Sequence, residues 1–257
     1  MDTHYIESRH LETTRRITVL GPRRRHGAKN ESFPVLYLND GQNLFDSSRA
    51  FGGVSWNVQE TVNKLVRRHV IPPIIVVGID HGDGRRSREY LPVEDERNPD
   101  ARNPLGRRYA DFLVSEVMPF IEGAYPAARG AAHTAVGGSS YGAVAALFTS
   151  LVKPGVFGRL LLESPSLYVG NRFLLRKARS AARWPSRIYL GVGTRETSRG
   201  DWNQETVANV RKLEAILRGR GLGPRRLKVV VEEGATHSEH AWAGRLGNAM
   251  AFLFGAG

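Results

Sequence analysis

The sequence predicts an α/β protein with a mostly parallel central sheet, helices on both faces and no large separate lid domain. Segments of strand length alternate with segments whose apolar residues recur at helical spacing, which is typical of repeated βα units. Residues 74–79 are apolar almost throughout, as expected of a strand buried on both faces. With 257 residues, of which 41% are hydrophobic, the chain can bury one substantial core. We therefore expect residues 1–257 to form a single domain.

The predicted elements follow one another with short connections. Two short antiparallel edge strands are expected at residues 5–8 and 16–20, followed by a turn-rich stretch at 21–32. Buried strands are expected at residues 34–39, 74–79, 133–136, 160–162, 188–192 and 227–231. Helices are expected at residues 57–68, 109–125, 143–152, 171–182, 206–219 and 240–254. The second of these helices contains Pro119, which has no N–H to donate, so we expect a distortion there. Residues 80–107 are polar and rich in Arg, Gly and Pro, which predicts a long loop at the functional edge of the sheet.

The candidate nucleophile is Ser140. It is the central residue of Gly138-Ser139-Ser140-Tyr141-Gly142, a match to the pattern G-x-S-x-G. The pentapeptide alone is weak evidence, but it lies between a predicted strand and an apolar helical run. A sharp turn at that position exposes the serine hydroxyl, and the flanking glycines remove Cβ atoms that would clash.

A candidate acid and a candidate base follow later strands. Functional residues collect at the carboxyl ends of parallel strands, and Glu196 follows the strand at 188–192 while His237 follows the strand at 227–231. A serine hydroxyl needs a base to take its proton, and the base needs a carboxylate to orient it. Asp201 competes with Glu196, although its position before a helix is typical of an N-cap. His240 competes with His237, but it is more typical of a capping or surface residue.

An oxyanion would need two backbone N–H donors. The residue after the nucleophile, Tyr141, is expected to supply one. We expect Gln42, in the loop after the strand at 34–39, to supply the other. The alternative for Gln42 is that Asp40-Gly41 forms a plain turn.

Six further side chains are candidates for substrate contacts because they lie in loops near the predicted site. They are Trp56, Arg88, Tyr90, Leu167, Tyr168 and Arg172. The aromatic members would suit an aryl or acyl ester, and the arginines could hold an anionic or catecholate group. The alternative for each is ordinary packing.

The composition excludes several classes of site. The chain has no Cys, so disulfides, thiolate metal sites and a Cys nucleophile are excluded, and we expect no metal and no other cofactor. Neither a membrane-spanning run nor the apolar core of a signal peptide is visible, so we expect a cytoplasmic protein with no membrane partner.

The formal net charge is +12, from 37 Lys and Arg against 25 Asp and Glu. The arginines are scattered from Arg9 to Arg245, with the densest run at Arg23-Arg24-Arg25-His26. There is no basic stripe interleaved with aromatic residues. This pattern favours a compositional bias over a binding surface, and we expect no specific nucleic-acid partner.

Several motifs in order resemble the bacterial putative-esterase family of the α/β-hydrolase superfamily. They lie at residues 35–46, 88–92, 137–142, 164–166 and 193–197, together with His237 followed by Trp242. That family includes enterochelin esterases, feruloyl and acetyl-xylan esterases, S-formylglutathione hydrolases and mycolyltransferases. The resemblance implies an α/β-hydrolase with a triad of Ser140, Glu196 and His237. It also implies an oxyanion hole formed by the amides of Gln42 and Tyr141.

The expected function is that of a serine carboxylic ester hydrolase working through an acyl-enzyme. The expected substrates are small acyl or aryl esters of the acetyl or feruloyl type. The alternatives within this class are a siderophore trilactone esterase and an acyltransferase. The alternative outside it is a non-catalytic module of the same fold that binds polyanions. The acyl and alcohol parts of the substrate, and the oligomeric state, stay open.

Overall fold

Eight strands form one twisted sheet in the computed structural model, which describes residues 1–22 and 31–255. The strands are β1 (Asp2–Ser8), β2 (Thr13–Leu20), β3 (Val35–Asn39), β4 (Ile75–Ile79), β5 (Thr134–Ser139), β6 (Arg159–Glu163), β7 (Arg187–Arg195) and β8 (Leu227–Thr236). Each predicted strand is present, and all of them except β3 and β4 are longer than expected. The basic run Arg23-Arg24-Arg25-His26, with most of the predicted turn-rich stretch around it, lies outside the described residues.

The strand order is β1-β2-β4-β3-β5-β6-β7-β8. β1 and β2 form an antiparallel pair, and β2 is also antiparallel to β4, whereas all pairs from β4 to β8 are parallel. The predicted mostly parallel sheet is thereby confirmed. Because β3 to β8 run the same way, their carboxyl ends meet at one edge of the sheet, which is where such folds place ligands.

The helices are α1 (Val58–Arg67), α2 (Arg86–Tyr90), α3 (Gly106–Phe112), α4 (Met118–Ala124), α5 (Ser140–Val152), α6 (Val169–Arg179), α7 (Gly200–Gly219) and α8 (Glu239–Phe254). The short helix α2 was not expected, because the polar composition of residues 80–107 predicted a loop throughout. Within residues 1–22 and 31–255, none of the helices combines the length and apolar character that a bilayer crossing requires.

Helices cover both faces of the sheet. Alternate residues of β3 point to opposite faces, so Tyr37 belongs to one apolar cluster while Leu36 and Leu38 belong to the other. The first cluster takes apolar side chains from α3 to α7, and the second takes them from α1 and α8. Each fully buried Leu or Val stabilises the fold by roughly 1.5–3 kcal/mol relative to an exposed one. The two clusters therefore hold the sheet rigid, with only its edges available for function.

The predicted distortion near Pro119 takes a specific form. Between α3 and α4 the chain makes a π-helical turn over Leu113–Val117, and Pro119 lies in the first turn of α4. In a regular helix, the proline ring would clash with the carbonyl of the preceding turn. The wider turn lets one continuous helical segment accommodate the proline.

Candidate active site

Ser140 is at the tip of the turn between β5 and α5. Its φ is 53°, a left-handed conformation that is uncommon for a residue with a Cβ. The chain on either side is packed too tightly for side chains, since a Cβ added to Gly138 would lie 2.8 Å from the carbonyl carbon of Gly142. The two glycines of the motif therefore let β5 and α5 meet at the sharp angle that exposes Ser140.

A cavity of about 230 Å³ opens at the carboxyl edge of the sheet, and it brings Ser140, Glu196 and His237 together. These residues are separated in sequence by 40 residues or more, and three different strands carry them to the same cavity. Tyr141 and Leu167 also line it. Within the described chain, no group of three or more His, Asp or Glu side chains is arranged to hold a metal ion.

Glu196 orients the imidazole of His237. The distance from His237 Nδ1 to Glu196 Oε2 is 2.5 Å. The other carboxylate oxygen accepts from Ser164 Oγ at 2.7 Å and from the amide of Gly193 at 2.5 Å. Burial alone would raise the pKa of Glu196, but the hydrogen bond and charge of His237, with the donors Ser164 and Gly193, outweigh burial and lower it. Glu196 is therefore held as a carboxylate.

Ser164 and Trp242 support this pair, although neither was among the candidate residues expected from the sequence. The indole Nε1 of Trp242 donates to Ser164 Oγ at 2.9 Å, and Ser164 in turn donates to Glu196. The Trp242 ring also meets the His237 ring edge-on, with 4.9 Å between the ring centroids. Ser164 directly follows β6, so the strand-end rule that pointed to Glu196 would have pointed to it as well.

Nδ1 of His237 is engaged by Glu196, so Nε2 is the ring nitrogen that remains for a reacting group. The hydroxyl of Ser140 is 3.5 Å from the hydroxyl of Ser166, which also lines the cavity. Ser166 follows β6 two residues after Ser164. The ends of β5, β6, β7 and β8 thus bring Ser140, Ser166, Glu196 and His237 to the cavity.

Asp201 and His240, the alternatives for the acid and the base, do not line the cavity. Asp201 is exposed in the first turn of α7 and forms an ion pair with Arg199 at 3.0 Å. The N-cap of that helix is Arg199, so the N-cap role expected of Asp201 is wrong. His240 is exposed in the first turn of α8, whose N-cap is Ser238.

The loop after β3 lies against the first turn of α5. Asn39 Nδ2 donates to the carbonyl of Gly142 at 2.6 Å, and a Cβ added to Gly142 would come within 2.7 Å of Asp40 Oδ2. Gln42 lies in the 3₁₀ turn Gly41–Asn43 of this loop. Its side-chain oxygen accepts from the amide of His81, and Gln42 lines a neighbouring cavity. The loop that carries Gln42 is therefore adjacent to the turn that carries Tyr141.

Asp40 fixes that loop. Its carboxylate accepts from Nε and Nη2 of Arg86 at 2.7 and 2.9 Å, and its amide donates to the hydroxyl of Tyr90 at 3.0 Å. Tyr90 is fully buried. The expectation that Tyr90 borders the cavity is wrong, since its side chain lies behind the loop and holds it in place.

Of the six candidates for substrate contacts, Leu167 and Tyr168 line the cavity and four do not. Trp56 is buried, with its ring 6.0 Å from that of Trp242. Arg88 donates to the carbonyl of Asn103. Arg172 is turned toward α7, where its guanidinium contacts Asn209 and Glu205. Partners in the protein therefore hold these four side chains away from the cavity.

One wall of the cavity comes from the loop at residues 80–107. The guanidinium of Arg97 lies over the rings of Tyr168 and Trp202, at 4.3 and 4.7 Å from their centroids. Oδ2 of Asp95 accepts from the hydroxyls of Tyr141 and Tyr168 at 2.6 and 2.9 Å. Burial is the main factor that raises the pKa of both tyrosines, so both hydroxyls stay protonated and donate.

The sequence matches one protein family and resembles proteins of two bacteria. The profile of the family described as "Putative esterase" matches residues 8–253. Protein YbbA of Bacillus subtilis strain 168, described as uncharacterized, is 22% identical over 252 residues, which are 96% of each chain. Iron(III) enterobactin esterase of Escherichia coli strain K12 is 27% identical over 201 residues, which are 74% of this chain and 44% of that protein.

Solved structures share the fold. The BES protein from Bacillus cereus has a TM-score of 0.75 at 18% identity, over 99% of this chain and 96% of that chain. The enterobactin esterase FES from Shigella flexneri has a TM-score of 0.72 at 22% identity, over 98% of this chain but 58% of that one. The chain thus spans about half the length of the enterobactin esterases that it matches. Because the family profile matches residues 8–253, which is nearly the whole chain, the protein belongs to the esterase family that the profile describes.

Proposed function

We propose that the protein is a serine carboxylic ester hydrolase in which Ser140 is the nucleophile, His237 the base and Glu196 the acid that orients it. The observation that carries this proposal is the 2.5 Å contact between His237 Nδ1 and Glu196 Oε2 beside a serine at the tip of a strand-to-helix turn. Because this contact engages Nδ1, we assign Nε2 of His237 as the nitrogen that takes the proton of Ser140.

In the first half of the reaction, Ser140 Oγ attacks the ester carbonyl carbon while its proton moves to His237 Nε2. The carbonyl π electrons move to the oxygen, and the resulting oxyanion accepts hydrogen bonds from the amides of Tyr141 and Gln42. Glu196 compensates the charge of the imidazolium. The bond to the alcohol oxygen then breaks, and His237 gives its proton to that oxygen, so the alcohol leaves and Ser140 stays acylated.

In the second half, water takes the place of the alcohol. His237 takes a proton from the water as its oxygen attacks the acyl carbon, and the oxyanion forms again at the same two amides. Collapse of this intermediate breaks the bond to Ser140 Oγ, which recovers its proton from His237. The products are the carboxylic acid and the alcohol, and the enzyme is restored.

The cavity supports small acyl or aryl esters as substrates. Its volume of about 230 Å³ lies below the roughly 300–1,000 Å³ of ligand pockets that enclose drug-sized molecules. Leu167, Tyr168 and Trp202 give it apolar and aromatic walls. An acetyl group or a single aromatic ring of the feruloyl type fits this space, with the remainder of the ester extending into solvent.

A siderophore ester is the second candidate. The relatives named as enterobactin esterases favour it, and Arg97 provides a cation at the cavity wall for an anionic or catecholate group. A panel that contains neutral aryl esters of increasing acyl length, an amide and a catecholate trilactone distinguishes the two. Higher kcat/KM for short neutral esters supports the first candidate, and higher kcat/KM for the trilactone supports the second.

The nucleophile is tested with Ser140→Ala and the control Ser139→Ala, which changes the neighbouring serine of the same motif. We expect Ser140→Ala to lower kcat for an aryl ester by at least about 10³-fold with an unchanged melting temperature. We expect the control to retain most activity. A fluorophosphonate should label the wild type and the control but not the Ser140 variant. Wild-type turnover by purified Ser140→Ala would disprove the assignment.

A further inference from the structure

A second cleft lies at the edge of the sheet opposite the candidate active site. It is lined by residues just before the amino ends of neighbouring parallel strands: Ala132 before β5, Gly158 before β6, Ser186 before β7 and Arg226 before β8. A strand of five or six residues spans roughly 17–20 Å, so about that distance separates the cleft from the cavity that holds Ser140. Its volume is about 640 Å³.

The charge of this cleft is positive. Arg183, Arg220 and Arg226 line it, and none of the described residues in its wall is an Asp or a Glu. Arg226 donates to the carbonyls of Ser186 and Pro185 at 3.2 and 3.3 Å. Arg220 donates to a main-chain carbonyl as well. Main-chain carbonyls are neutral, so these contacts orient the guanidinium groups without compensating their charge.

Among the three arginines of the cleft, Arg183 has the largest number of N–H donors without a partner in the described chain. Its guanidinium lies against Gly155, where an added Cβ would be 3.0 Å from Nη1. Within the part of the chain that the structure describes, this guanidinium forms no hydrogen bond and no ion pair with the protein. An arginine presents five N–H donors, and those of Arg183 are available to a ligand.

The neighbouring surface adds to the positive field. Arg159 and Arg187 face each other in register at the start of β6 and β7. Burial is the main cause that lowers the pKa of Arg159, and the positive charge of Arg187 lowers it further. By contrast, Arg211 and Arg218 on α7 both form ion pairs with the carboxylate of Glu214. Arginines that are dispersed along the sequence thus converge at this edge of the sheet, and no described residue of the cleft wall supplies a carboxylate to neutralise them.

We propose that this cleft binds an organic polyphosphate, a small molecule with two or more adjacent phosphate groups. Guanidinium groups pair with phosphate through two parallel hydrogen bonds, and three of them match more than one phosphate. The volume lies within the roughly 300–1,000 Å³ of small-molecule sites. Trp184, which also lines the cleft, offers a ring against which an organic group can pack.

The experiment is a calorimetric titration of the full chain with inorganic triphosphate and with ATP, at one fixed ionic strength. We expect both probes to bind the wild type, and Arg183→Ala and Arg226→Ala each to weaken binding by about tenfold. Arg183 has no partner within the described protein, so its removal should leave the melting temperature unchanged. Trp184→Leu should weaken ATP more than triphosphate.

The control is Arg108→Ala, which removes the same charge from a residue paired with Glu12 away from the cleft. It should bind both probes as the wild type does, and all the variants should hydrolyse a neutral ester at the wild-type rate. The proposal is overturned if neither probe binds, or if the control loses as much affinity as Arg183→Ala. It is also overturned if a single-stranded oligonucleotide binds more tightly than ATP through the same arginines, since the cleft would then serve a polymer.

Discussion

At the scale of single residues, Glu196 illustrates how a buried carboxylate is kept charged. Its side chain is almost fully buried, which opposes ionisation, yet His237, Ser164 and the amide of Gly193 all contact it. These contacts lower its pKa below the ordinary value of 4.5. A carboxylate whose folded pKa is lowered stabilises the protein above its unfolded pKa, and that contribution is lost as the pH falls through the lower folded value.

Glu196→Gln should therefore impair catalysis and lower the stability of the protein at neutral pH. We expect kcat to fall by roughly 10²–10⁴, because an amide can neither favour the correct tautomer of His237 nor compensate its positive charge. Above pH 4.5, the free energy of unfolding of the variant should be lower than that of the wild type. This difference should narrow as the pH falls below 4.5.

Asp201→Asn is the matched control for that variant, because Asp201 is the exposed carboxylate that competes for the same role. It should change kcat by less than about twofold, as expected of a surface substitution away from the chemistry. Steady-state kinetics on an aryl ester and denaturant titrations across pH check both variants. A larger loss for the Asp201 variant would reverse the assignment.

Ser164 and Trp242 contact Glu196 and His237, so in the proposed mechanism they are positioning residues. Ser164→Ala should lower kcat about tenfold, since one hydrogen bond to a charged group is lost. It should also raise the pKa of Glu196. The difference in free energy of unfolding from Glu196→Gln above pH 4.5 should then be smaller for Ser164→Ala than for the wild type. Trp242→Phe keeps a ring beside His237 but loses the N–H, so its loss of kcat should be smaller. Equal kcat for wild type and Ser164→Ala would show that this hydrogen bond has no role.

At the scale of secondary-structure elements, the approach of the loop after β3 to α5 places the two expected oxyanion donors. Gly142 makes this approach possible, because any side chain there would meet Asp40. Asn39 fixes the spacing through its hydrogen bond to the carbonyl of Gly142, and Arg86 and Tyr90 hold Asp40 from the other side. The position of the Gln42 amide thus depends on contacts between elements.

Gly142→Ala tests this dependence. Alanine is favoured over glycine within a helix by roughly 1 kcal/mol, so propensity alone predicts a more stable helix. The clash with Asp40 should instead displace the loop and lower kcat by about 10²–10³, the range seen when an oxyanion donor is lost. Gly123→Ala in α4 is the control, because a Cβ there meets no atom within 4 Å. Full activity of Gly142→Ala would mean that the loop does not depend on this contact.

At the scale of the whole molecule, the arginines beside the two cavities have different kinds of partner. At the carboxyl edge, Arg97 contacts Glu205, and Arg86 is neutralised by Asp40. At the amino edge, the arginines of the second cleft contact main-chain carbonyls instead. Screening acts over about 8 Å at physiological ionic strength, so charge at one edge hardly affects a reaction at the other.

Hydrolysis of a neutral aryl ester should therefore depend little on salt. A matched anionic ester should lose kcat/KM as salt rises, because a positive field raises the encounter rate of an anion. Arg97 is the cation that lines the cavity, so Arg97→Ala should reduce the salt dependence of the anionic ester, whereas Arg88→Ala should not. The measurement is kcat/KM for both esters between low and high salt. A steep fall for the neutral ester would contradict this account.

The sequence by itself determined the order of strands and helices and the identity of the residues that follow each strand. These are local features, which follow from short-range sterics and periodicity. They include the alternation of apolar segments, the glycines around Ser140, and the positions of Glu196 and His237 after their strands. The parallel sheet then predicts that residues following different strands meet at one edge.

Only the tertiary structure decided which side chains reach the cavity. Tyr90 and Trp56 lie near the expected loops but are buried in the core. Arg97 and Trp202 line the cavity, although the sequence singled out neither of them as a contact residue. The convergence of Arg183, Arg220 and Arg226 likewise depends on the neighbouring positions of strands β5 to β8. Side-chain direction and long-range proximity are set by packing between distant segments, which no local pattern encodes.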